Sequence, residues 1–225
     1  MTLGELAFGC YVFSRSYDDA YDQLLKDTNA AVDLEKEAHR SALLKFLNKW
    51  GCRQFAKNYH ADASREIADW YQQFGGDLCP KSETLLSLTD LHLGGVERAY
   101  SGLVSRTASR RGQATVTVGP AGTAKILFAL RPNSFIPWDD PIRGRFGWDG
   151  SASSYRKHLV MAKGWLNELS NKCAEKGFEL GDLPSKLGRP QSSIAKLIDE
   201  YLWVTVTSRC VAPGKVILEQ WAEWS

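Results

Sequence analysis

The chain has no apolar run of the roughly 18 residues that a membrane-spanning helix needs. Near its start it carries Glu5, where a secretory signal peptide would have lysine or arginine. It also lacks internal repeats and low-complexity tracts, which argues against solenoid and disordered proteins. We therefore expect a globular protein of the cytoplasm with no membrane partner.

Cysteine pairs with the spacing of a zinc or redox site are also missing. The five cysteines are far apart, with no CxxC pair and no histidine at zinc-finger spacing: Cys10, Cys52, Cys79, Cys173 and Cys210. Free cysteine is among the residues most often found in protein interiors. We expect reduced, mostly buried thiols, no metal site and no other cofactor.

The net charge is only +2, but the charges are unevenly distributed. Between Ser101 and Trp165 stand ten basic and three acidic residues, so this segment carries +7 and the rest of the chain −5. A local excess of positive charge attracts phosphates. Two interpretations stay open: a face that binds a polyanion, or a solvated surface that happens to be rich in arginine.

Apolar residues recur with helical spacing along most of the chain, and a hydrophobic content of 44% is enough to build a core. We predict two short helices in the first thirty residues, the second with Tyr17, Tyr21, Leu24 and Leu25 on one face. Stronger patterns predict helices over residues 33–50 and 62–74, a helix through Val96–Val104 with Thr89 or Asp90 as its cap, and helices over residues 152–176 and from 190 onward. Val204–Val206 favours a strand, so the last of these is expected to fray there. The fold class is predicted to be all-α.

One stretch, Val118–Arg143, combines several features of a binding site. Its glycine-rich turn has Pro120 at the first helical position, which leaves backbone amides pointing outward. A helix start of this kind can bind a phosphate. We predict phosphate contacts for the small and basic residues in and before this turn: Gly119, Gly122, Thr123, Lys125, Arg110 and Arg111.

The same stretch carries a two-part motif. A glycine-rich segment that ends in Thr-Ala, Gly119–Ala124, is followed sixteen residues after Thr123 by the sequence Asp-Asp-Pro-Ile, Asp139–Ile142. This order resembles that of the helix-hairpin-helix DNA glycosylases, in which the first part begins the second hairpin helix and the second part holds an invariant aspartate. The resemblance covers Val96–Arg143 closely and the order of the helices more loosely.

The resemblance implies an all-α, two-lobed helical bundle. Residues 31–138 would form one lobe with the hairpin, and residues 1–30 plus 139–225 a second, interwoven lobe. Double-stranded DNA would lie across the cleft between them. The implied activity of such a monomer is removal of a flipped damaged or modified base, in repair or in defence against phage with modified DNA. Bifunctional members carry a nucleophilic lysine where this chain has Gly122, so no strand cleavage is expected.

Residues around the cleft are assigned from the motif and from local chemistry. Asp140 precedes Pro141 and is predicted to cap the next helix, while the family pattern selects Asp139 as the catalytic carboxylate. Such a carboxylate stabilises an oxocarbenium-like sugar and orients the attacking water. Candidates for the base pocket are Trp138, Asn48, Arg53 and Tyr59, although Trp138 could equally pack its own loop into the core.

Two other readings of the sequence remain. In a helical DNA-binding module without chemistry, the turn and the arginines would bind phosphates and Asp139 would only cap a helix. In a helical protein-interaction domain, DNA binding would be absent. His158, beside the apolar face of the helix predicted over residues 152–176, is expected to be structural rather than a ligand in all of these readings.

Overall fold

A computed structural model describes residues 1–13 and 19–222, and it is mostly helical, with 65% helix and 4% strand. The α-helices are α1 (Leu3–Phe13), α2 (Asp19–Thr28), α3 (Glu37–Lys49), α4 (His60–Phe74), α5 (Asp90–Val104), α6 (Gly119–Leu130), α7 (Asp140–Phe146), α8 (Ala152–Glu175), α9 (Leu183–Lys186), α10 (Ile194–Leu202) and α11 (Lys215–Trp221). Three 3-10 turns lie at Lys57–Tyr59, Gly75–Asp77 and Leu180–Asp182. The expectation of a mostly helical chain is confirmed.

The helices predicted from apolar spacing are present, with their ends shifted by a few residues. Tyr21 and Leu24 are buried on α2 as expected, whereas Tyr17 lies outside the described residues. At the end of α10 the prediction is wrong, because the chain does not fray. It continues as a π-helix, Trp203–Thr207, whose widened turn keeps the β-branched residues helical.

Two short strands interrupt the helical chain. β1 (Thr107–Arg111) and β2 (Ala114–Thr117) pair antiparallel, with Arg110 opposite Thr115. Gly112, at φ +60°, is the first residue of the turn, as is typical of a two-residue hairpin loop. This small hairpin, which the sequence analysis did not predict, lies where alternating threonine and valine favour a strand, and the chain as a whole stays consistent with the all-α class.

One large hydrophobic core joins helices α1 to α10, and a smaller cluster contains Phe8, Phe13, Val204 and Leu218 of α11. The large core includes Leu6 of α1, Leu43 of α3, Tyr100 of α5, Tyr155 of α8 and Leu197 of α10, each essentially buried. Helix α5 packs on both α6 and α8, while α1 packs on α10 and α11. The two segments that the family resemblance separates, 31–138 and the rest, thus share a single core.

The structure tests the expected state of the cysteines and the expected absence of a membrane-spanning helix. Cys10, Cys52, Cys79 and Cys173 are buried and Cys210 is half-buried, and all five are free thiols, so the expectation of reduced, mostly buried cysteines is confirmed. In the described ranges, no helix is both long enough and apolar enough to cross a membrane.

Candidate functional site

Asp139 lies directly before α7 and caps it. Its Oδ1 accepts a hydrogen bond from the backbone N–H of Ile142 at 3.0 Å, and its Oδ2 accepts one from the hydroxyl of Thr207 at 2.7 Å. The first donor belongs to the cap itself. The second comes from the last residue of the π-helix after α10. Both carboxylate oxygens are therefore held, and the group has a fixed orientation.

The capping role was assigned from sequence to the wrong aspartate. Asp139 has the extended backbone of an N-cap residue, at φ −126° and ψ −179°, and its carboxylate reaches the amide three residues on. Asp140 is instead the first residue of α7. Its side chain is 80% exposed and pairs with Arg143 at 2.5 Å. Helix α7 therefore begins one residue earlier than the Asp140-Pro141 pair had indicated.

A cavity of about 230 Å³ opens beside the Asp139 carboxylate. It is lined by Phe13, Lys49, Trp50, Gly51, Lys125, Pro137, Trp138, Asp139, Ile142, Asp199 and Trp203. Six of these residues come from segment 31–138 and five from the flanking segments. The cavity therefore lies where the two segments meet, and its walls are largely aromatic.

The cavity contains a second carboxyl group that sequence reasoning missed. Asp199, on α10, is only 7% exposed, and no described residue hydrogen-bonds to its side chain. Burial raises its pKa to about 7, against the opposing charges of Lys196 and Lys125. The nearby carboxylates of Glu200 and Asp139 raise it further. At neutral pH a large fraction of this group is protonated, so the cavity holds a proton donor beside a fixed carboxylate.

The sequence contained a weak signal for Asp199. The predicted helix from residue 190 buries Leu197, Ile198 and Leu202, and Asp199 stands inside that apolar run. A charged residue within an apolar run is rarely buried without a partner or a function. Its neighbours in the cavity come from α6 and the start of α7, which no local pattern reveals.

Lys125 extends into the cavity instead of toward the start of α6. Its ammonium donates to the backbone carbonyl of Trp50 at 2.5 Å and lies 5.9 Å from the centre of the Trp50 ring. The lysine therefore supplies positive charge next to Asp139 and Asp199. This differs from the phosphate contact predicted for it at the helix start.

The start of α6 offers fewer ligand-facing groups than the sequence indicated. Gly122 and Thr123 are buried, and the Thr123 hydroxyl donates to the carbonyl of Gly119 at 2.8 Å. No side chain caps the helix, so the backbone N–H groups of the half-buried residues Gly119 and Ala121 have no side-chain partner, while Pro120 has no N–H to offer. Gly119, at φ +66°, adopts a conformation that favours glycine.

Most of the basic residues counted between Ser101 and Trp165 do not form one positive face. Several are held by carboxylates or carbonyls: Arg106 by Glu66, Arg131 by Cys79, Arg143 by Asp140, Arg156 by Asp90 and Glu97, and Lys163 by Leu88. Arg110, Arg111, Arg145 and Lys157 differ, because all four are exposed and none has an ion-pair partner among the described residues. Two of these four, Arg110 and Arg111, are adjacent on β1, so the hairpin is a candidate for contact with a phosphate backbone.

Trp138 both packs its loop and lines the cavity. It is 1% exposed, and its indole N–H donates to the carbonyl of Pro120 at 3.1 Å. Its ring packs against Tyr155 and His158, with centroids 5.1 Å and 5.4 Å away. Burial lowers the pKa of His158 to about 4 and keeps the imidazole neutral, in accord with the structural role expected for it.

The other three candidates for the base pocket, Asn48, Arg53 and Tyr59, do not line this cavity. Asn48 is hydrogen-bonded to His60 at 2.9 Å and lines a second cavity of about 1030 Å³. Arg53 is exposed and Tyr59 is half-buried in a 3-10 turn. The actual wall on this side is the end of α3, Lys49 to Gly51, of which Lys49 and Trp50 border both cavities.

Comparison of the chain with protein-family models, curated protein sequences and solved structures gives no match. Among the described residues there is also no group of three or more histidine, cysteine, aspartate or glutamate side chains that could hold a metal ion. The case for a function therefore rests on the geometry around Asp139 and on the motif in Val118–Arg143.

Proposed function

We propose that the protein is a monofunctional DNA glycosylase that hydrolyses the N-glycosidic bond of a damaged or modified base. The observation that carries the proposal is the fixed carboxylate of Asp139 at the edge of an aromatic cavity between the two segments of the chain. The protein would act as a monomer on double-stranded DNA, in repair or in defence against phage with modified DNA.

The size and walls of the cavity support a flipped base as its occupant. A cavity of about 150 Å³ binds one benzene ring, and the cavity beside Asp139 measures about 230 Å³. This leaves room for one flat heteroaromatic ring system. The rings of Phe13, Trp50 and Trp203 line it and supply the stacking surface that an extruded base needs in place of its neighbours in the duplex.

Asp139 is suited to the chemistry at the sugar. As the base departs, C1′ of the deoxyribose acquires positive charge, and a carboxylate held in place stabilises that charge without reorganising. The same group orients a water molecule and accepts its proton as the oxygen bonds to C1′. The hydroxyl of Thr207 and the amide of Ile142 keep the carboxylate in position during this step.

The surroundings of Gly122 support a hydrolytic rather than a lyase reaction. A Cβ atom on Gly122 would lie 2.7 Å from Nε2 of Gln54 and 3.3 Å from the ring of Phe55, so this position faces packed side chains and not the cavity. Lys125 does reach the cavity, but the carbonyl of Trp50 holds its ammonium. We assign Lys125 an electrostatic role, and expect the DNA strand to stay intact.

The hairpin and the start of α6 would hold the DNA backbone. Ser109 on β1 donates to the carbonyl of Gln54 at 2.6 Å, and the Gln54 amide donates to the carbonyl of Val118 at 2.8 Å. These bonds join the hairpin to the loop after α3, whose Gly51 lines the cavity. Arg110 and Arg111 therefore stand on an element that is tied to the cavity wall.

A DNA-binding module without chemistry is the second candidate, and one observation favours it. Asp139 caps α7, and this structural role alone would account for an aspartate at that position. The two candidates agree on DNA binding and differ only in whether a base is released.

Base release with the variant Asp139→Asn separates the candidates. Asparagine is as good an N-cap as aspartate, so the helix and the fold should be retained while the negative charge is lost. The substrates are duplexes that each contain one modified base, together with genomic DNAs that carry different modified bases. The control is Asp140→Asn, which removes the exposed neighbouring carboxylate.

We expect the wild type and Asp140→Asn to release a base from at least one substrate, and Asp139→Asn to bind the same DNA and release none. Asp139→Asn that still releases base at the wild-type rate would contradict the assignment of Asp139. A wild-type protein that binds DNA but releases no base from any substrate would favour the binding module.

A further inference from the structure

We propose that Asp199 is the acid that protonates the departing base, and that the substrates are therefore uncharged bases and not cationic N-alkylated ones. The inference rests on the proposed function, because it concerns the same cavity. In this inference Asp199, on α10, protonates the leaving base, while Asp139 stabilises the positive charge on the sugar and accepts the proton of the water.

The two carboxyl groups that line the cavity have opposite hydrogen-bonding states. Asp139 accepts bonds from two donors, which hold both of its carboxylate oxygens. The side chain of Asp199 is buried and lines the cavity, yet no described residue donates to it. A buried carboxyl group without a partner is costly, and a base in the cavity would supply the missing partner.

Asp199 lies near cationic side chains but forms no ion pair with any residue that the structure describes. Lys196, one turn earlier on α10, is buried and pairs with Glu200 at 2.7 Å. Arg189 also pairs with Glu200, at 2.8 Å. From the other elements, Lys125 of α6 and the carboxylate of Asp139 face the group.

The result of this environment is a carboxyl group with a pKa of about 7, for which burial is the main cause. Two carboxyl groups in different environments let one site use one group as an acid and the other at the sugar. Asp199 therefore has a proton to give near neutral pH.

The proton and electron balance of the step is as follows. The bond between C1′ and the base nitrogen breaks, and its electron pair stays with the base. Asp199 transfers its proton to a ring nitrogen or carbonyl oxygen of that base. Water adds to C1′, and its proton passes to Asp139. The products are the free base and an abasic sugar with a C1′ hydroxyl, and proton exchange with solvent restores both carboxyl groups.

An acid at Asp199 that protonates the departing base determines which class of base the enzyme would release. A base that carries a positive charge from alkylation leaves as a neutral molecule, so it needs no proton from the enzyme. An uncharged base would leave as an anion, and an acid at its edge contributes about 10²–10⁴-fold to the rate. A buried acid is useful only for the uncharged class.

The test uses four duplexes that each contain one defined base: uracil, hypoxanthine or 8-oxoguanine as uncharged bases, and 7-methylguanine as a cationic one. Genomic DNAs with uncharged modified bases extend the set. Single-turnover rates are measured across pH for the wild type, for Asp199→Asn and for the exposed control Asp140→Asn.

We expect release of an uncharged base whose rate falls as the pH rises above about 7, since Asp199 must be protonated to act. Asp199→Asn should lower the rate at pH 6 by about 100-fold or more and remove the alkaline decline. Asp140→Asn should match the wild type. DNA affinity and thermal unfolding of each variant are measured alongside, to show that the variants remain folded.

Three outcomes would overturn the inference while leaving the glycosylase proposal in place. These are release of 7-methylguanine alone, a change of less than about tenfold in Asp199→Asn, and a wild-type rate that does not decline above neutral pH. The last measurement decides the matter even if Asp199→Asn does not fold. A wild-type protein that releases no base at all would overturn both proposals together.

Discussion

The Thr207 hydroxyl donates to the Asp139 carboxylate at 2.7 Å across 68 residues of sequence. The donor is the last residue of the π-helix that follows α10, and the acceptor caps α7. This hydrogen bond therefore connects the end of the π-helix to the start of α7. Orientation of the carboxylate toward the cavity therefore depends on a helix far along the chain.

We expect Thr207→Val to lower the rate of base release by about tenfold or more, since the variant keeps the shape of the side chain but frees one carboxylate oxygen to turn. The free energy of unfolding should fall by about 1.5–3 kcal/mol, the range for a hydrogen bond to a charged group. Thr205→Val is the matched control, because Thr205 lies in the same π-helix and its hydroxyl donates to the carbonyl of Tyr201. Equal rates for the two variants would contradict a role of Thr207 in orienting Asp139.

Removal of the two hairpin arginines should weaken DNA binding in a salt-dependent way. Each phosphate contact adds about 0.9 to the slope of log affinity against log salt, so Arg110→Ala/Arg111→Ala should reduce the slope by about 2. Lys36→Ala/Lys215→Ala removes two charges from side chains that are 64% and 88% exposed and serves as the control. If the slope of log affinity against log salt is unchanged in Arg110→Ala/Arg111→Ala, the two arginines do not contact the DNA phosphates.

Gly122→Ala tests the packing that excludes a lysine from this position. The added Cβ would lie 2.7 Å from Nε2 of Gln54, which is held by the carbonyl of Val118, and 3.3 Å from the ring of Phe55. We expect a loss of about 1–3 kcal/mol in the free energy of unfolding, despite the better helix propensity of alanine. Gly164→Ala, in α8 with open space around the site, should instead gain up to about 1 kcal/mol.

Asp199 should also make stability fall with rising pH. Its pKa is about 7 in the folded protein and about 3.8 in the unfolded chain, so the folded state binds the extra proton between these values. Its contribution is therefore complete below about pH 4 and lost as the pH rises through 7. Relative to the wild type, Asp199→Asn should gain up to about 4 kcal/mol at pH 8 compared with pH 4.

Urea unfolding of the wild type and of Asp199→Asn across this pH range measures the difference in their free energies of unfolding. Contributions from the titrating groups that both proteins share cancel in this difference. Asp140→Asn, which removes an exposed carboxylate, is the control for the loss of one charge. A constant difference between Asp199→Asn and the wild type would contradict a raised pKa for Asp199.

The sequence predicted what depends on local spacing. The apolar periodicity of α4 and α8 and the motif around Asp139 are local features, and the structure contains both helices. The β-hairpin was missed because β-branched residues in a short segment were outweighed by the helical context. The choice of Asp140 as the cap failed by one residue, since a proline restricts the backbone before it without fixing where the helix begins.

The partners of the candidate site could not be predicted in the same way. Thr207 and Asp199 reach Asp139 and its cavity through the packing of α10 against α1 and of the π-helix against α7. These are tertiary contacts between distant segments, and a single sequence contains no periodic signal for them. For the cavity wall at Lys49 to Gly51, the sequence analysis named only the nearby residues Asn48 and Arg53, which do not line the cavity.

Three of the eight tryptophans, Trp50, Trp138 and Trp203, line the cavity beside Asp139. The indole emission of the unlabelled protein is therefore an optical reporter of whatever enters there. A base that stacks on these rings should quench it, so stopped-flow fluorescence can time the arrival of the nucleotide separately from its hydrolysis.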